Sequence, residues 1–328
     1  MASATLTAPS TAADRRPYAG REHTSLSEMP PLTTTVPRQY VHRTAVSEVF
    51  LTDWRRAGSD AWVVSAQWPR AHSFYSPVDG LHDPMLLVET MRQASILLSH
   101  VAHGVPLDHP IIWQDLRYSL TPEALRVTGA PAEVELHITD CDLAYRGKRL
   151  SSARQQYRVL CDGAQLATAE LDFSCHSPAV YRRLRGEYSD VQRANERKLA
   201  LSEPVEPPLV ARDRTGDVVL SPTGHANRWQ LRVNTSHPVL FDHPVDHAPG
   251  MLMVEAARQA AHAAAGPGFS LPADMECSFH RYAELDAPSW IDATLAGRDE
   301  HDRLLLDIDI RQHGRSVFTA RTASQSIR

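Results

Sequence analysis

A glutamate followed three positions later by an arginine and then a glutamine occurs twice in the chain, in segments whose apolar residues have helical spacing. The segments read Val-Glu-Thr-Met-Arg-Gln-Ala from Val88 and Val-Glu-Ala-Ala-Arg-Gln-Ala from Val254. Burial on an apolar helix raises the pKa of a carboxyl group toward the range of a general base. Glu89 and Glu255 are therefore candidates for acid–base chemistry, and Glu255, on an alanine-rich helix, is the leading one.

The sequence around these two helices is also duplicated. With one extra residue in the first copy, the aligned identities include Phe74 with Phe241, Pro77 with Pro244, Val78 with Val245, Asp79 with Asp246 and Met85 with Met251. The separation is roughly half the chain, which is too long for a solenoid repeat and fits a duplicated domain. We expect two pseudo-symmetric halves.

Composition and charge limit the class of protein. A chain of 328 residues with 42% apolar and 22% charged residues is ordinary for a globular protein of two modest domains. A net charge of -5 provides no broad basic field, which disfavours nucleic acid and membrane surfaces as partners. No apolar run is long enough to cross a bilayer and the first residues lack a hydrophobic signal core. Because the cysteines also show no disulfide framework, we predict a protein of the reducing cytoplasm.

Neither the cysteines nor the histidines predict a metal site. The four cysteines, Cys141, Cys161, Cys175 and Cys277, lack Cys-x-x-Cys spacing and indicate no metal or disulfide framework. The 17 histidines show no spacing typical of metal ligands. We therefore predict no metal.

Apolar periodicity and turn residues divide each half into strands around one helix. In the first half we predict strands at 41–51, 61–68, 111–120, 132–143, 151–160 and 165–174, a helix at 84–103 and a short helix at 178–185. In the second half we predict strands at 229–234, 275–285, 290–298, 304–312 and 317–324, and a helix at 249–265. Asp162-Gly163 and His313-Gly314 predict tight hairpin turns.

These elements set the expected domain limits. Residues 1–37, rich in Pro, Ser, Thr and Ala, are predicted to be a flexible tail. Residues 38–186 form the N-terminal domain, a charged and proline-bearing linker covers 187–215, and residues 216–328 form the C-terminal domain. The alanines of the second helix allow backbone to approach closely on several sides. The predicted fold class is therefore α+β, a double hotdog: two tandem hotdog domains, each a curved antiparallel sheet wrapped around a long central helix.

A longer motif adds a family resemblance. The run from Asp242 to Ala260, Asp-His-Pro-Val-Asp-His-Ala-Pro-Gly-Met-Leu-Met-Val-Glu-Ala-Ala-Arg-Gln-Ala, resembles the signature of the A-factor biosynthesis (AfsA-type) family. The segment from Gln67 to Phe74 and the triplet His82-Asp83-Pro84 also resemble that family. More distantly, Pro249-Gly250 followed by Glu255 is similar to hotdog dehydratases that act on acyl carrier protein thioesters.

The resemblance implies a β-ketoacyl transferase. In such a reaction the acyl group leaves an acyl carrier protein thioester and esterifies a hydroxyl of dihydroxyacetone phosphate. The product then cyclises toward a butenolide phosphate, a precursor of γ-butyrolactone signals. The resemblance implies no cofactor beyond the phosphopantetheine that carries the acyl group on its protein.

Acyl transfer to an alcohol needs a base near the hydroxyl, donors for the oxyanion, and cations for the phosphate. Glu255 is the expected base, and Gly250 at the start of its helix is the expected oxyanion donor. Arg258 either steadies Glu255 or binds phosphate, and the sequence leaves both roles open. His243 occupies the approximate place of the dehydratases' catalytic histidine, although its loop to Pro249 is shorter here.

Hotdog enzymes commonly build each site across the interface of two units. Glu89 and Arg92 are therefore expected to face the loop carrying His243, while Glu255 and Arg258 face the loop carrying His82. Either site, or both, can be active. The alternative is that each glutamate and arginine form an ion pair that only holds the packed helices together.

Four further polar residues are candidates for substrate binding. Gln93 and Gln259 either contact substrate or satisfy buried backbone groups. Arg117 and Arg281 occupy matching Arg-Tyr pairs after each helix and are candidates for phosphate or phosphopantetheine, with an exposed outer position as the alternative. Arg182, Arg183 and Arg185 form a basic patch suited to an acidic carrier protein, or a solvated helix face.

Two other functions remain open. One is a hotdog dehydratase or thioesterase acting on acyl thioesters, against which the arginine of the Glu-x-x-Arg-Gln motif argues. The other is a non-catalytic module that binds an acyl carrier protein or a ligand.

Overall fold

The computed structural model describes residues 34–266 and 270–326. Residues from Thr34 onward within these ranges belong to one compact unit. Most of the tail predicted at 1–37 lies outside the described residues. Within it, Val36 is buried, and its N–H donates a hydrogen bond of 2.9 Å to the carbonyl of Leu51.

Six strands and one long helix make up the first repeat. They are β1 (Leu51–Arg56), β2 (Ala61–Trp68), α1 (Met85–Val101), β3 (Ile111–Leu120), β4 (Ala132–Arg146), β5 (Arg149–Cys161) and β6 (Ala164–Cys175). Two short helices follow, α2 (Pro178–Arg185) and α3 (Val191–Arg197). The second repeat contains β7 (Leu220–Pro222), β8 (Arg228–Leu231), α4 (Gly250–Ala265), β9 (Ser270–Phe279), β10 (Ser289–Arg298), β11 (Leu304–Gln312) and β12 (Arg315–Ser326).

The twelve strands of the described part of the chain form one antiparallel sheet in the order β1-β2-β4-β5-β6-β3-β9-β12-β11-β10-β8-β7. The second half of this order mirrors the first, element by element. The approximate two-fold axis that relates the repeats passes between β3 and β9, where Arg117 lies opposite Glu276. The predicted pseudo-symmetry is therefore present as an approximate two-fold relation between the repeats.

The sheet packs on α1 and α4, which supply the centre of the core. Apolar residues of both helices, such as Leu86, Val88, Val254 and Ala257, have no exposed surface. The small side chains of α4 let β9 to β12 pack close to its axis, as the alanine content predicted. No helix among the described residues is long and apolar enough to cross a membrane.

Most predicted elements are found where the local pattern was strong. Strands 61–68, 111–120 and 304–312 and the helix at 178–185 have the predicted bounds. Both hairpin turns are also confirmed, since Asp162 and His313 have φ of 48° and 52° and are followed by glycines with positive φ. The domain limits themselves stay a prediction, because the sheet runs without interruption through both repeats.

The strand predicted at 41–51 is wrong. This segment forms two 3-10 helices, Arg38–Val41 and Val46–Glu48, and β1 begins only at Leu51. The side-chain amide of Gln93 on α1 accepts from the N–H of Phe50 and donates to the carbonyl of Glu48. The side chain of Gln93 therefore takes the place of a strand partner for Glu48 and for the N–H of Phe50, and pairing with β2 begins at the carbonyl of Phe50. The strand predicted at 275–285 is displaced, since β9 runs from Ser270 to Phe279. The short strand β7 was not predicted.

Candidate active site

Each of the two predicted glutamates lies in a buried ion cluster. Glu89 accepts hydrogen bonds from Nε of Arg43 at 3.0 Å and Nε of Arg92 at 2.9 Å. Gln93 donates a third, at 2.7 Å. The cluster contains two guanidinium groups and one carboxylate, so its formal net charge is +1.

The second repeat contains the equivalent cluster. Glu255 accepts from Nε of Arg212 at 3.0 Å, from Nε of Arg258 at 2.9 Å and from Gln259 at 2.6 Å. Arg212 also donates to Oδ2 of Asp83 at 2.8 Å. This second carboxylate brings the formal charge of the cluster to zero, which distinguishes it from the first.

The expected rise in the pKa of Glu255 is wrong. Burial alone would raise it, but the charges of Arg212 and Arg258 outweigh burial and hold the pKa well below its usual range. In the same way Arg43 and Arg92 outweigh the burial of Glu89 and hold its pKa at about 2. Both carboxylates are ionised, fully paired and inaccessible, which is the arrangement expected of structural ions.

Gln93 and Gln259 were candidates for substrate binding, and the structure places both in the core. Neither side chain has exposed surface. The oxygen of Gln259 accepts from the N–H of Val219, and its nitrogen donates to Glu255 and to the carbonyl of Asp217. Gln93 makes the equivalent three bonds, so neither amide has an atom left for a substrate.

Arg43 and Arg212, which were not predicted to be site residues, link the repeats. Arg43 donates to the carbonyl of Val239 in the second repeat, at 2.9 Å. Arg212 donates to the carbonyl of Phe74 in the first, at 3.1 Å. The only signal in the sequence was their matching position two residues after a valine, in Val41-His42-Arg43 and Val210-Ala211-Arg212.

A cavity of about 470 Å3 lies between α1 and the loop that precedes α4. Its apolar lining includes Ile96, Ile111, Trp113, Met251, Met253 and Phe279. Its polar lining includes Arg92, Asp242, His243, His247, Arg281 and Tyr282. The structure therefore brings Arg92 and His243 to one cavity, across the interface between repeats. Its size and mixed lining are typical of a small-molecule site.

The pseudo-symmetric counterpart of this cavity is almost closed. It lies between Arg258 and the loop that carries His82, and its volume is about 10 Å3. Asp83, which lines it, binds Arg212 and also accepts from the N–H of Met85 at the start of α1. Of these two cavities, only the one beside Arg92 has room for a substrate. The duplicated sites are therefore unequal.

The start of α4 opens into the larger cavity. Pro249 precedes the helix in an extended conformation, and Gly250 and Met251 line the cavity. Among the described residues, the N–H groups of Gly250 and Met251 have no hydrogen-bond acceptor. At the start of α1, by contrast, the carboxylate of Asp83 accepts a hydrogen bond from the equivalent N–H group, that of Met85. Free N–H groups and the positive end of the helix dipole suit α4 for an oxyanion.

His247, which was not predicted to be a site residue, precedes this helix start by three residues and lines the same cavity. Nδ1 of His247 is 2.6 Å from Oδ1 of Asp246, and Asp246 also accepts from the hydroxyl of Tyr181. Burial alone would raise the pKa of Asp246, but the hydrogen bonds from His247 and Tyr181 and the charge of Arg185 together outweigh burial and lower the pKa to about 2. Asp246 thus holds the proton on Nδ1 and leaves the Nε2 lone pair of His247 available.

Arg185, predicted to be part of a basic surface patch, is buried instead. It pairs with Asp246 and, at 2.8 Å, with Oε2 of Glu284. Its guanidinium lies 4.1 Å from the ring centroid of Tyr282, which lines the cavity. Arg185 is therefore a support for the His247–Asp246 pair, and only Arg182 and Arg183 of the predicted patch are exposed.

His243 and Arg281 lie at the exposed edge of the cavity. Arg117 does not, because its side chain is on the outer face of the sheet and pairs with Glu170. The predicted equivalence of Arg117 and Arg281 is also wrong. The register between β3 and β9 makes Glu276 the counterpart of Arg117, whereas Arg281 follows the end of β9.

Within the described residues, no group of three or more histidine, cysteine, aspartate or glutamate side chains could hold a metal ion. Two larger grooves lie on the outer face of the sheet. Ion pairs such as Arg321 with Asp307 and Arg117 with Glu170 line them. Of the cavities compared above within the described residues, the one beside Arg92 combines enclosure, unpaired donors and a supported histidine.

Comparison with known proteins agrees with this architecture. A sequence model of the family described as the A-factor biosynthesis hotdog domain matches residues 24–177 and 193–327. A putative oleoyl thioesterase from Lactobacillus plantarum superposes with a TM-score of 0.52 at 13% identity, over 82% of this chain and 98% of that one. The predicted double hotdog is confirmed.

Two curated relatives are much closer in sequence. A 2-oxo-3-(phosphooxy)propyl 3-oxoalkanoate synthase from Streptomyces virginiae is 47% identical over 273 residues, which cover 83% of this chain and 92% of the relative. A protein of the same name from Streptomyces coelicolor is 40% identical over 284 residues, which cover 86% of this chain and 89% of the relative.

Proposed function

The chain belongs to the A-factor biosynthesis hotdog family, and from that membership we propose that it is an acyltransferase that joins a β-ketoacyl group to dihydroxyacetone phosphate. The relatives' name describes the product of this reaction, an ester of a 3-oxoalkanoate with a 2-oxo-3-(phosphooxy)propyl group. The ester then cyclises toward a butenolide phosphate. The observation that carries the proposal is the cavity in which His247 and the open start of α4 lie together.

His247 is the proposed general base. Nε2 takes the proton of the substrate hydroxyl while the alcohol oxygen attacks the carbonyl carbon of the thioester. Asp246 accepts from Nδ1, so it fixes the ring and stabilises the imidazolium that forms. When the carbon–sulfur bond breaks, His247 returns the proton to the leaving thiolate. This assignment replaces Glu255, which stays ionised within its cluster.

The N–H groups of Gly250 and Met251 are the proposed oxyanion donors. Both line the cavity and lack acceptors among the described residues. A tetrahedral intermediate carries its negative charge on the former carbonyl oxygen, which is where donors fixed at a helix start are most effective. Gly250 keeps the role that the sequence suggested for it.

Arg92 is the proposed phosphate ligand, with Arg281 at the cavity edge as a second cation. Nε and Nη2 of Arg92 bind Glu89, whereas Nη1 has no acceptor among the described residues. The cluster of Arg43, Glu89 and Arg92 has a net charge of +1, which Asp242 in the cavity lining offsets in part, and the Nη1 donor of Arg92 is available for a charge-assisted hydrogen bond to an anion. The apolar side chains that line the cavity, among them Ile111 and Phe279, receive the acyl chain.

We propose that the acyl donor is an acyl carrier protein thioester. We also propose that the reaction needs no dissociable cofactor. A cytoplasmic location follows from those substrates. Incubation of the purified chain with a 3-oxooctanoyl thioester and dihydroxyacetone phosphate, followed by mass spectrometry, tests the proposal. We expect the phosphate-bearing ester and its butenolide. Free acid would indicate a thioesterase, an enoyl product a dehydratase, and unchanged thioester a binding module.

Gly250→Ala tests the start of α4. A Cβ at this position would lie 3.2 Å from Cε1 of Phe279, so the ring or the helix start must shift by a few tenths of an ångström. Because oxyanion donors act only at close range, we expect kcat to fall about tenfold with little change in stability. Steady-state kinetics and thermal unfolding measure the two effects.

Gly129→Ala is the matched control, since a Cβ there meets nothing within 4 Å. An unchanged kcat in Gly250→Ala would contradict the oxyanion role of this helix start.

A further inference from the structure

The hairpin between β4 and β5 carries three cations within four residues, Arg146, Lys148 and Arg149. All three are exposed, and among the described residues none forms an ion pair. Elsewhere on the sheet, several exposed arginines, among them Arg321, pair with a cross-strand carboxylate. An unpaired group of three cations stands out on a chain whose net charge is -5.

The hairpin lies at the end of the sheet that borders the larger cavity. Ile111, which lines the cavity, is opposite Cys175 on β6, and Ser174 of β6 is opposite Ser152 of β5. The hairpin strands β5 and β4 are thus two and three strand spacings from Ile111, or roughly 10–15 Å. The tip extends beyond that level of the sheet, toward solvent.

The segment that precedes α2 lies close to both the cavity and this tip. His176 donates through its N–H to the carbonyl of Pro110, which lines the cavity, at 3.0 Å. Burial and, after it, the charge of Arg146 lower the pKa of His176. The helix α2 starts two residues later and presents Arg182 and Arg183, which are exposed and unpaired within the described part of the chain.

Exposed apolar side chains lie among these cations. Tyr145 on the hairpin is 49% exposed, Leu107 on the loop before β3 is 47% exposed and Leu184 on α2 is 62% exposed. Large apolar side chains beside unpaired charges are typical of protein–protein interfaces. We call the five cations Arg146, Lys148, Arg149, Arg182 and Arg183 the basic rim.

We propose that the basic rim is the docking surface for an acidic carrier protein that brings the acyl thioester to the cavity. This inference rests on the proposed acyl transfer. A carrier bound at the rim would be two to three strand spacings from the cavity wall formed by Pro110 and Ile111, a distance that its flexible thioester arm would span. Asp108, which is exposed near Arg149, weakens the field there but does not cancel three cations.

Electrostatic docking predicts which kinetic constants change. Rim charges mainly steer encounter, so reversing them lowers the association rate and makes binding less sensitive to salt. A small thioester does not use the rim and reaches the cavity by diffusion. The rim should therefore affect kcat/KM for the carrier-borne substrate alone.

The test compares wild type with a variant that combines Arg146→Glu, Lys148→Glu and Arg149→Glu. Each is assayed with 3-oxooctanoyl acyl carrier protein and with 3-oxooctanoyl N-acetylcysteamine. We expect kcat/KM for the carrier substrate to fall at least about tenfold, and that for the small thioester to stay within about twofold. Calorimetry with the carrier measures binding directly.

A matched control combines Arg70→Glu, Arg126→Glu and Arg158→Glu, three exposed and unpaired arginines toward the opposite end of the first repeat. Equal losses in both triple variants, equal losses on both thioesters, or unchanged carrier binding would overturn the docking surface. Absence of ester from either thioester in wild type would instead refute the acyl transfer, and calorimetry would still decide whether the carrier binds at the rim.

Discussion

Replacing His247 with glutamine should lower the rate of ester formation by about 10²–10⁴-fold, the range typical of a lost general base. Glutamine keeps a similar length and a hydrogen-bonding group toward Asp246 but cannot take a proton. Because the side chain of His247 is partly exposed, the fold should remain intact. Single-turnover kinetics with a small thioester measures the effect without carrier binding.

His243→Gln is the control for this experiment. His243 lines the same cavity, but its Nδ1 is 3.3 Å from Oδ2 of Asp242, against 2.6 Å between His247 and Asp246, and its side chain is 45% exposed. We expect a small loss. A large loss in His243→Gln with normal activity in His247→Gln would assign the base to His243, the role suggested by its place in the dehydratases.

Glu255→Gln should destabilise the protein by about 3–5 kcal/mol, because it leaves the buried guanidinium groups of Arg212 and Arg258 without their shared carboxylate. Glu89→Gln should have an effect of the same order, since Arg43 and Arg92 depend on Glu89 in the same way. Urea unfolding with an unchanged m-value measures the loss.

Asp307→Asn provides the comparison, since it breaks an exposed pair with Arg321 and should cost less than about 1 kcal/mol. If Glu255→Gln instead kept full stability and lost activity, the carboxylate would be catalytic and its assignment as a structural ion would be wrong. Stability and activity together therefore separate the two roles that the sequence left open.

The closed second cavity indicates how the duplicated halves diverged. The Glu-x-x-Arg-Gln cluster is retained in both repeats, because each cluster fixes the backbone of its own repeat and reaches the other through Arg43 or Arg212. The helix starts differ, since Asp83 occupies one and Pro249-Gly250 opens the other. The halves therefore share their supporting interactions and differ where a ligand would bind.

The sequence by itself determined the duplicated architecture. Two-residue periodicity in β2, β3 and β11, helical periodicity in α1 and α4, and left-handed turns at Asp162-Gly163 and His313-Gly314 are local properties. Local patterns depend on neighbouring residues, so they can be interpreted without knowledge of the fold. The open helix start at Gly250 was predicted for the same reason.

Only the tertiary structure decided the charge state of the two glutamates and the hydrogen-bond support of His247. Arg212 is 43 residues from Glu255 and Arg43 is 46 residues from Glu89, yet they reverse the pKa shift expected from burial. The support of His247 depends on Tyr181, which is 65 residues from Asp246. Charge at a buried site is set by whichever groups the fold brings within a few ångströms, and the sequence contains no local signal of that distance.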